Sequence, residues 1–247
     1  MKASRLAIYI QALVNRCAKA NIENDAALTL IQNGNPVALT GEKGGKAQLR
    51  INGVFDDWFG FDVAAVVSDL DAMAPTDLTM LITSPGGSIF DANALYSDLR
   101  RRVGNGMALR AEVQGIAASA AVMPLLAADE RVVDGASQIM VHRVMGSLFA
   151  FGNLEDLKSA YDEINKRLKA AQSTLNNVYP QRTGQPASTV AGWFAKETWF
   201  DPDAAIEAGI ATKMAEEEFT DGTVDEISQE VVNFAAGLIV NSMETPL

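Results

Sequence analysis

From Leu49 onward the chain alternates between short apolar runs and longer stretches in which apolar residues recur every three or four positions. Side chains alternate faces in a strand and return to one face every 3.6 residues in a helix, so the two patterns are distinguishable. The pattern predicts strands over residues 49–54, 78–83 and 107–113, with helices over 62–73 and 89–103 between them. Strands joined through helices imply a largely parallel sheet covered by helices, an α/β fold. A short buried helix over 120–128 and short strands over 131–133 and 138–142 continue the series. A long amphipathic helix over 154–178 follows, with Leu154, Leu157, Tyr161, Ile164, Leu168, Ala171 and Leu175 on one face and Pro180 beyond its end. After a turn-rich segment come helices over 187–196 and 202–208, the second stopped by Gly209.

Residues 1–47 read as an N-terminal extension that ends in the hydrophilic run Gly41-Glu42-Lys43-Gly44-Gly45-Lys46. That run does not have the residue order of a phosphate-binding loop. Residues 48–214 form the expected domain, and 215–247 an acidic linker and tail that opens with Glu216-Glu217-Glu218. No internal repeat is present. The first residues faintly resemble a signal peptide, but Gln11 interrupts the apolar run and no clean cleavage site follows. No stretch is long and apolar enough to span a bilayer, so the expectation is a soluble protein without a membrane partner.

The 247 residues carry a formal charge of −11, which argues against nucleic acid as a partner because phosphate binding needs clustered Lys and Arg. The densest basic run, Arg100-Arg101-Arg102, falls at a helix end, where cations offset the carbonyl end of the macrodipole. Cys17 is the single cysteine and His142 the single histidine. Neither an internal disulfide nor a Cys- or His-rich metal centre can be built from them, and the reading implies no metal, no cofactor and a reducing, cytoplasmic compartment.

Three segments could carry chemistry. Ser84-Pro85-Gly86-Gly87-Ser88 lies between a strand and a helix, where glycines let backbone N–H groups face an anion; an ordinary turn with Ser88 as N-cap would use the same residues. Gly115-Ile116-Ala117-Ala118-Ser119-Ala120-Ala121 sets a serine among small residues at the start of a helix, where it is either a nucleophile or a cap. A serine hydroxyl needs a base, and His142 at the end of a strand is the one imidazole that can serve, unless it is a structural residue.

In this order the three segments resemble the Clp protease proteolytic subunit, from about Leu49 to Met214, with 23 residues from Ser119 to His142. The resemblance implies a spiral of βαβ units with a protruding handle helix, assembled into a homo-oligomeric ring that acts on polypeptide substrates. It also implies Ser119 as nucleophile, His142 as general base, and the N–H groups of Gly87 and Ala120 as the oxyanion hole. The third triad member departs from the family pattern: alignment puts Glu197 where the family has an aspartate, with Asp201 and Asp203 as competitors. The Glu197-Thr198-Trp199-Phe200 segment, the long N-terminal lead and the acidic tail are similar to those of phage-encoded relatives that process capsid or scaffold proteins during head maturation. The competing expectations are an ATP-dependent housekeeping degradative subunit, a crotonase-type acyl-coenzyme-A hydratase or isomerase, a peptidase of the signal-peptide-peptidase family with a lysine base, and an inactive assembly protein. The apolar stripe Leu157, Ile164, Leu168 and Leu175 is expected to be exposed on a single chain, which is a second reason to expect an oligomer.

Overall fold

The computed structural model describes residues 37–55, 61–146, 148 and 150–216; most of the expected N-terminal extension and nearly all of the acidic tail lie outside them. Strand β1 (Val37–Gly41) pairs antiparallel with β2 (Lys46–Asn52). The hydrophilic run at 41–46, read above as a boundary, is therefore the turn of a hairpin. The backbone N–H of Glu42 donates to the Lys46 carbonyl at 2.9 Å and that of Gly44 to the Met73 carbonyl at 2.8 Å. Five residues with a single fully apolar alternation give too weak a pattern to reveal β1 from sequence.

From β2 the expected alternation is realised. Helix α1 (Val63–Met73), capped by the Asp62 carboxylate on the Ala64 N–H at 2.7 Å, leads to β3 (Asp77–Ser84). Helix α2 (Ile89–Gly104) leads to β4 (Ala108–Ala118). The three strands are parallel, in the order β2, β3, β4. Leu49, Ile51, Leu78, Met80 and Ile82 of the sheet are completely buried, in one core cluster with Leu95 and Leu99 of α2. The basic run does more than offset a dipole: Arg102 donates to Asp98 and Asp71, each at 2.6 Å, and to the Leu70 carbonyl at 3.2 Å, which ties α2 to α1.

Strand β4 outlasts its predicted end by five residues and changes partner along its length. Arg110–Glu112 pair with β5 (Glu130–Val133), whereas Ile116–Ala118 pair with β6 (Gln138–Val141), both parallel. Between these segments β4 advances from Val113 to Ala117 while β3 advances only from Ile82 to Ser84, a bulge that re-aims the end of β4. A single 3-10 turn, Ser119–Ala121, and the fully buried helix α3 (Val122–Ala127) follow.

The long helix α4 (Leu154–Thr183) begins with a reciprocal cap. Asn153 accepts from the N–H groups of Glu155 and Asp156, and Asp156 accepts from that of Asn153. The helix was expected to stop at residue 178 before Pro180; instead it runs through the proline. One lost backbone bond is outweighed by tertiary contacts: Tyr179 is buried edge-on against Phe194 at 4.9 Å, and Arg182 donates to the Leu126 and Ala128 carbonyls at 2.6 and 2.7 Å. The apolar stripe departs from expectation at Leu175, which is buried in its own fold at 5% exposure, whereas Leu157 is exposed as expected. Helix α5 (Ala187–Lys196), strand β7 (Thr198–Phe200), helix α6 (Pro202–Glu207) and strand β8 (Lys213–Met214) complete the described elements. Strand β7, which the sequence pattern did not reveal, pairs antiparallel with β6.

Candidate active site

The fork in β4 builds the site. Because β6 pairs in parallel with the last residues of β4, Ala118 opposite Met140, the residues just beyond each strand emerge side by side. These are Ser119 and His142, and their Oγ and Nε2 atoms are 2.8 Å apart. With the proton of the neutral ring on Nδ1, Nε2 accepts the serine O–H. Ser119 has φ of +55°, a left-handed conformation that costs a non-glycine residue about 1–2 kcal/mol. The strained turn between strand and helix lifts the hydroxyl off the backbone toward the imidazole. The capping alternative fails on geometry, because the N-cap of the 3-10 turn is Ala118 and no side chain bonds there.

The Ser-Pro-Gly-Gly turn lies against this elbow. Ser84 is fully buried; its hydroxyl donates to the Gly53 carbonyl at 2.6 Å and accepts from the Gly86 N–H at 3.1 Å. A Cβ on Gly86 would come within 2.6 Å of the Ala118 carbonyl oxygen and 2.8 Å of the Ser119 Cβ, and one on Gly87 within 2.4 Å of the Phe55 carbonyl oxygen. Both positions also have positive φ, so only glycine allows the turn to sit this close. Gly87 bridges Phe55 through bonds donated by Phe55 and Ser88, neither of which uses the Gly87 N–H. Ser88 caps α2, accepting from the Asp91 N–H at 3.3 Å, so this segment is both a cap and a wall of the site.

The third expected member is not engaged. Among the described residues no carboxylate bonds to His142. Glu197 is exposed, with φ of +51°, at the C-terminal cap of α5. It directly precedes Thr198, which pairs with Val141, the residue before His142, and it makes no bond to the ring. The Asp201 carboxylate caps α6 on the Ala204 N–H at 2.9 Å, and Asp203 is exposed in that helix's first turn.

Ser119 and His142 open into a cleft of about 520 Å³. One wall is the start of α2 with Ile89 and Phe90, and the other is α4 with Ile164, Arg167, Leu168 and Leu175. Tyr179 also lines the cleft, and burial pushes its phenol above the ordinary range, which keeps it neutral. Periodicity placed Ile164, Leu168 and Leu175 on one helix face but held no signal that this face overlooks Ser119. Phe90 and Arg167 were missed for the same reason. Among the described residues no group of three or more His, Cys, Asp or Glu could hold a metal ion, and no helix is long and apolar enough to cross a membrane.

Residues 47–218 match a family model described as Clp protease. The ATP-dependent Clp protease proteolytic subunit 1 of Prochlorococcus marinus is 28% identical over 152 residues, covering 60% of this chain and 72% of that protein. The ATP-dependent Clp protease proteolytic subunit of Porphyromonas gingivalis is 27% identical over 164 residues, covering 65% and 70%. Among solved structures, a mutant ClpP1 from Listeria monocytogenes superposes with a TM-score of 0.57 at 19% identity, over 69% of this chain and 92% of that one.

Proposed function

Because the chain belongs to the Clp protease family of serine peptidases, we propose that it is a serine endopeptidase with Ser119 as nucleophile and His142 as general base. The observation that carries this reading is the 2.8 Å contact between Ser119 Oγ and His142 Nε2 at the mouth of the cleft. His142 takes the hydroxyl proton as Oγ attacks the peptide carbonyl. The N–H groups of Gly87 and Ala120 receive the oxyanion. The imidazolium then gives its proton to the leaving amine, and water repeats the sequence on the acyl-enzyme, releasing the new carboxyl end and restoring Ser119. Glu197 is the proposed orienting carboxylate; it adjoins Thr198, the partner of Val141 in the β6–β7 pair, which supports it over Asp201, whose carboxylate already caps a helix.

A fluorophosphonate should label wild-type protein on the peptide containing Ser119. Ser119→Ala should abolish labelling and lower kcat by roughly 10⁶-fold, with a similar loss for His142→Ala. Labelling that persists in Ser119→Ala would overturn the assignment. Glu197→Gln should lower kcat without changing KM, and an unaltered kcat would return the third position to Asp203 or to water.

We further propose a homo-oligomer acting on polypeptides in the host cytoplasm, with phage capsid or scaffold precursors as substrates during head maturation. The support is the Glu-Thr-Trp-Phe segment and the two terminal extensions. The two relatives, both proteolytic subunits of an ATP-dependent Clp protease by name, favour a second reading, the proteolytic subunit of an ATP-dependent degradative machine. Co-expression with the capsid and scaffold precursors of the same genome neighbourhood separates the two. Specific processing supports the first, whereas degradation that needs an unfoldase and spares those precursors supports the second.

A further inference from the structure

The cleft above Ser119 has a charge pattern opposite to that of the chain. Among the described residues its lining contains no Asp or Glu, although the protein has 31 acidic residues and a net charge of −11. The one permanent cation among the described lining residues is Arg167 on α4. Its guanidinium carbon stands 5.6 Å from the centre of the Phe90 ring, which belongs to the opposite wall and is half exposed. Among the described residues the arginines with carboxylate partners are Arg100, Arg101, Arg102, Arg110 and Arg182, and Arg167 is not one of them. The aromatic face steadies the guanidinium while its N–H edges stay free to meet a planar acceptor. Beside it, Ile164, Leu168 and Leu175 present an apolar wall.

We infer that Arg167 is a specificity-determining residue, and that the cleft selects a polypeptide segment with an apolar side chain flanked by a carboxylate. The apolar side chain lies against Ile164, Leu168 and Leu175, and the carboxylate meets the Arg167 guanidinium. That carboxylate is either an Asp or Glu side chain or the free C-terminus of the segment. The inference rests on the peptidase reading of the cleft, but recognition can be measured without cleavage.

The test uses full-length Ser119→Ala protein and fluorescent peptides that share a leucine-centred core, carry Glu, Gln or Lys beside it, and end in a free or an amidated carboxyl group. Where the carboxylate is a side chain, anisotropy titrations at low salt should rank Glu above Gln by about fivefold, the scale of an exposed ion pair, with Lys last. Where it is the C-terminus, they should rank free-ended above amidated peptides by the same factor. Arg167→Gln should erase the ranking, Arg167→Glu should reverse it, and Arg167→Lys should keep its sign. An advantage that survives amidation assigns the carboxylate to a side chain, and one found only with free ends assigns it to the C-terminus. Affinities equal within twofold, a ranking unchanged by Arg167→Glu, or no binding by any peptide would overturn the inference. Intact ranking alongside wild-type protein that never cleaves would sink the catalytic reading and leave this one standing.

Discussion

The two ends of α4 are cut from one amphipathic stripe and behave oppositely. Toward its C-terminus Ala171, Leu175 and Tyr179 are buried, Tyr179 meets Phe194 edge-on at 4.9 Å, and Arg182 grips the carbonyls that end α3. Toward its N-terminus Leu154, Leu157 and Tyr161 stay exposed. Between them Ile164 and Leu168 line the cleft. Periodicity tells which residues share a helix face; what covers that face is decided by the rest of the fold.

The contrast can be broken at several points. Phe194→Ala should cost about 3–5 kcal/mol, read as a lowered urea midpoint, since it removes a buried aromatic ring and leaves a cavity beside Tyr179. Arg182→Met should cost about 1–3 kcal/mol, because the Leu126 and Ala128 carbonyls lose their guanidinium donor. A smaller effect depends on pH. The hydrogen bond from Arg182, with the nearby charge of Arg100, holds the Asp129 carboxyl below its usual range. Its contribution to stability is therefore whole above about pH 4 and is lost as pH falls through the lowered pKa. Asp129 is largely exposed, so solvent screening keeps this contribution small, and Asp129→Asn should only flatten the acid limb of a stability profile. Leu154→Ser and Leu157→Ser should shift the stability of a single chain by less than about 0.5 kcal/mol while moving sedimentation toward smaller species. If Leu154→Ser instead costs as much as Phe194→Ala, the two ends are not different and the contrast is void.

What the sequence disclosed follows the same line. Parallel strands joined by helices were legible because β2, β3 and β4 alternate fully buried residues with strong turn signals. The Ser119 and His142 pair was legible through the resemblance carried by three segments in order, with one histidine in the chain to serve as base. Strand β7 was not, since three residues carry no period and exist as a strand only through pairing with β6. The helix end at Thr183 was hidden because Pro180 argues locally for a stop and only distant carbonyls overrule it. Glu197 could be aligned, but the direction of its side chain depends on a left-handed backbone that no local pattern announces.

The backbone at Ser119 carries a wider consequence. A side chain sits where the chain geometry favours glycine, so the reactive hydroxyl is kept at the expense of the fold's own comfort. A descendant released from the need for chemistry would gain by replacing it with glycine. Erosion of the nucleophile is thus the downhill direction, and its retention in a lineage is a record of selection for the reaction.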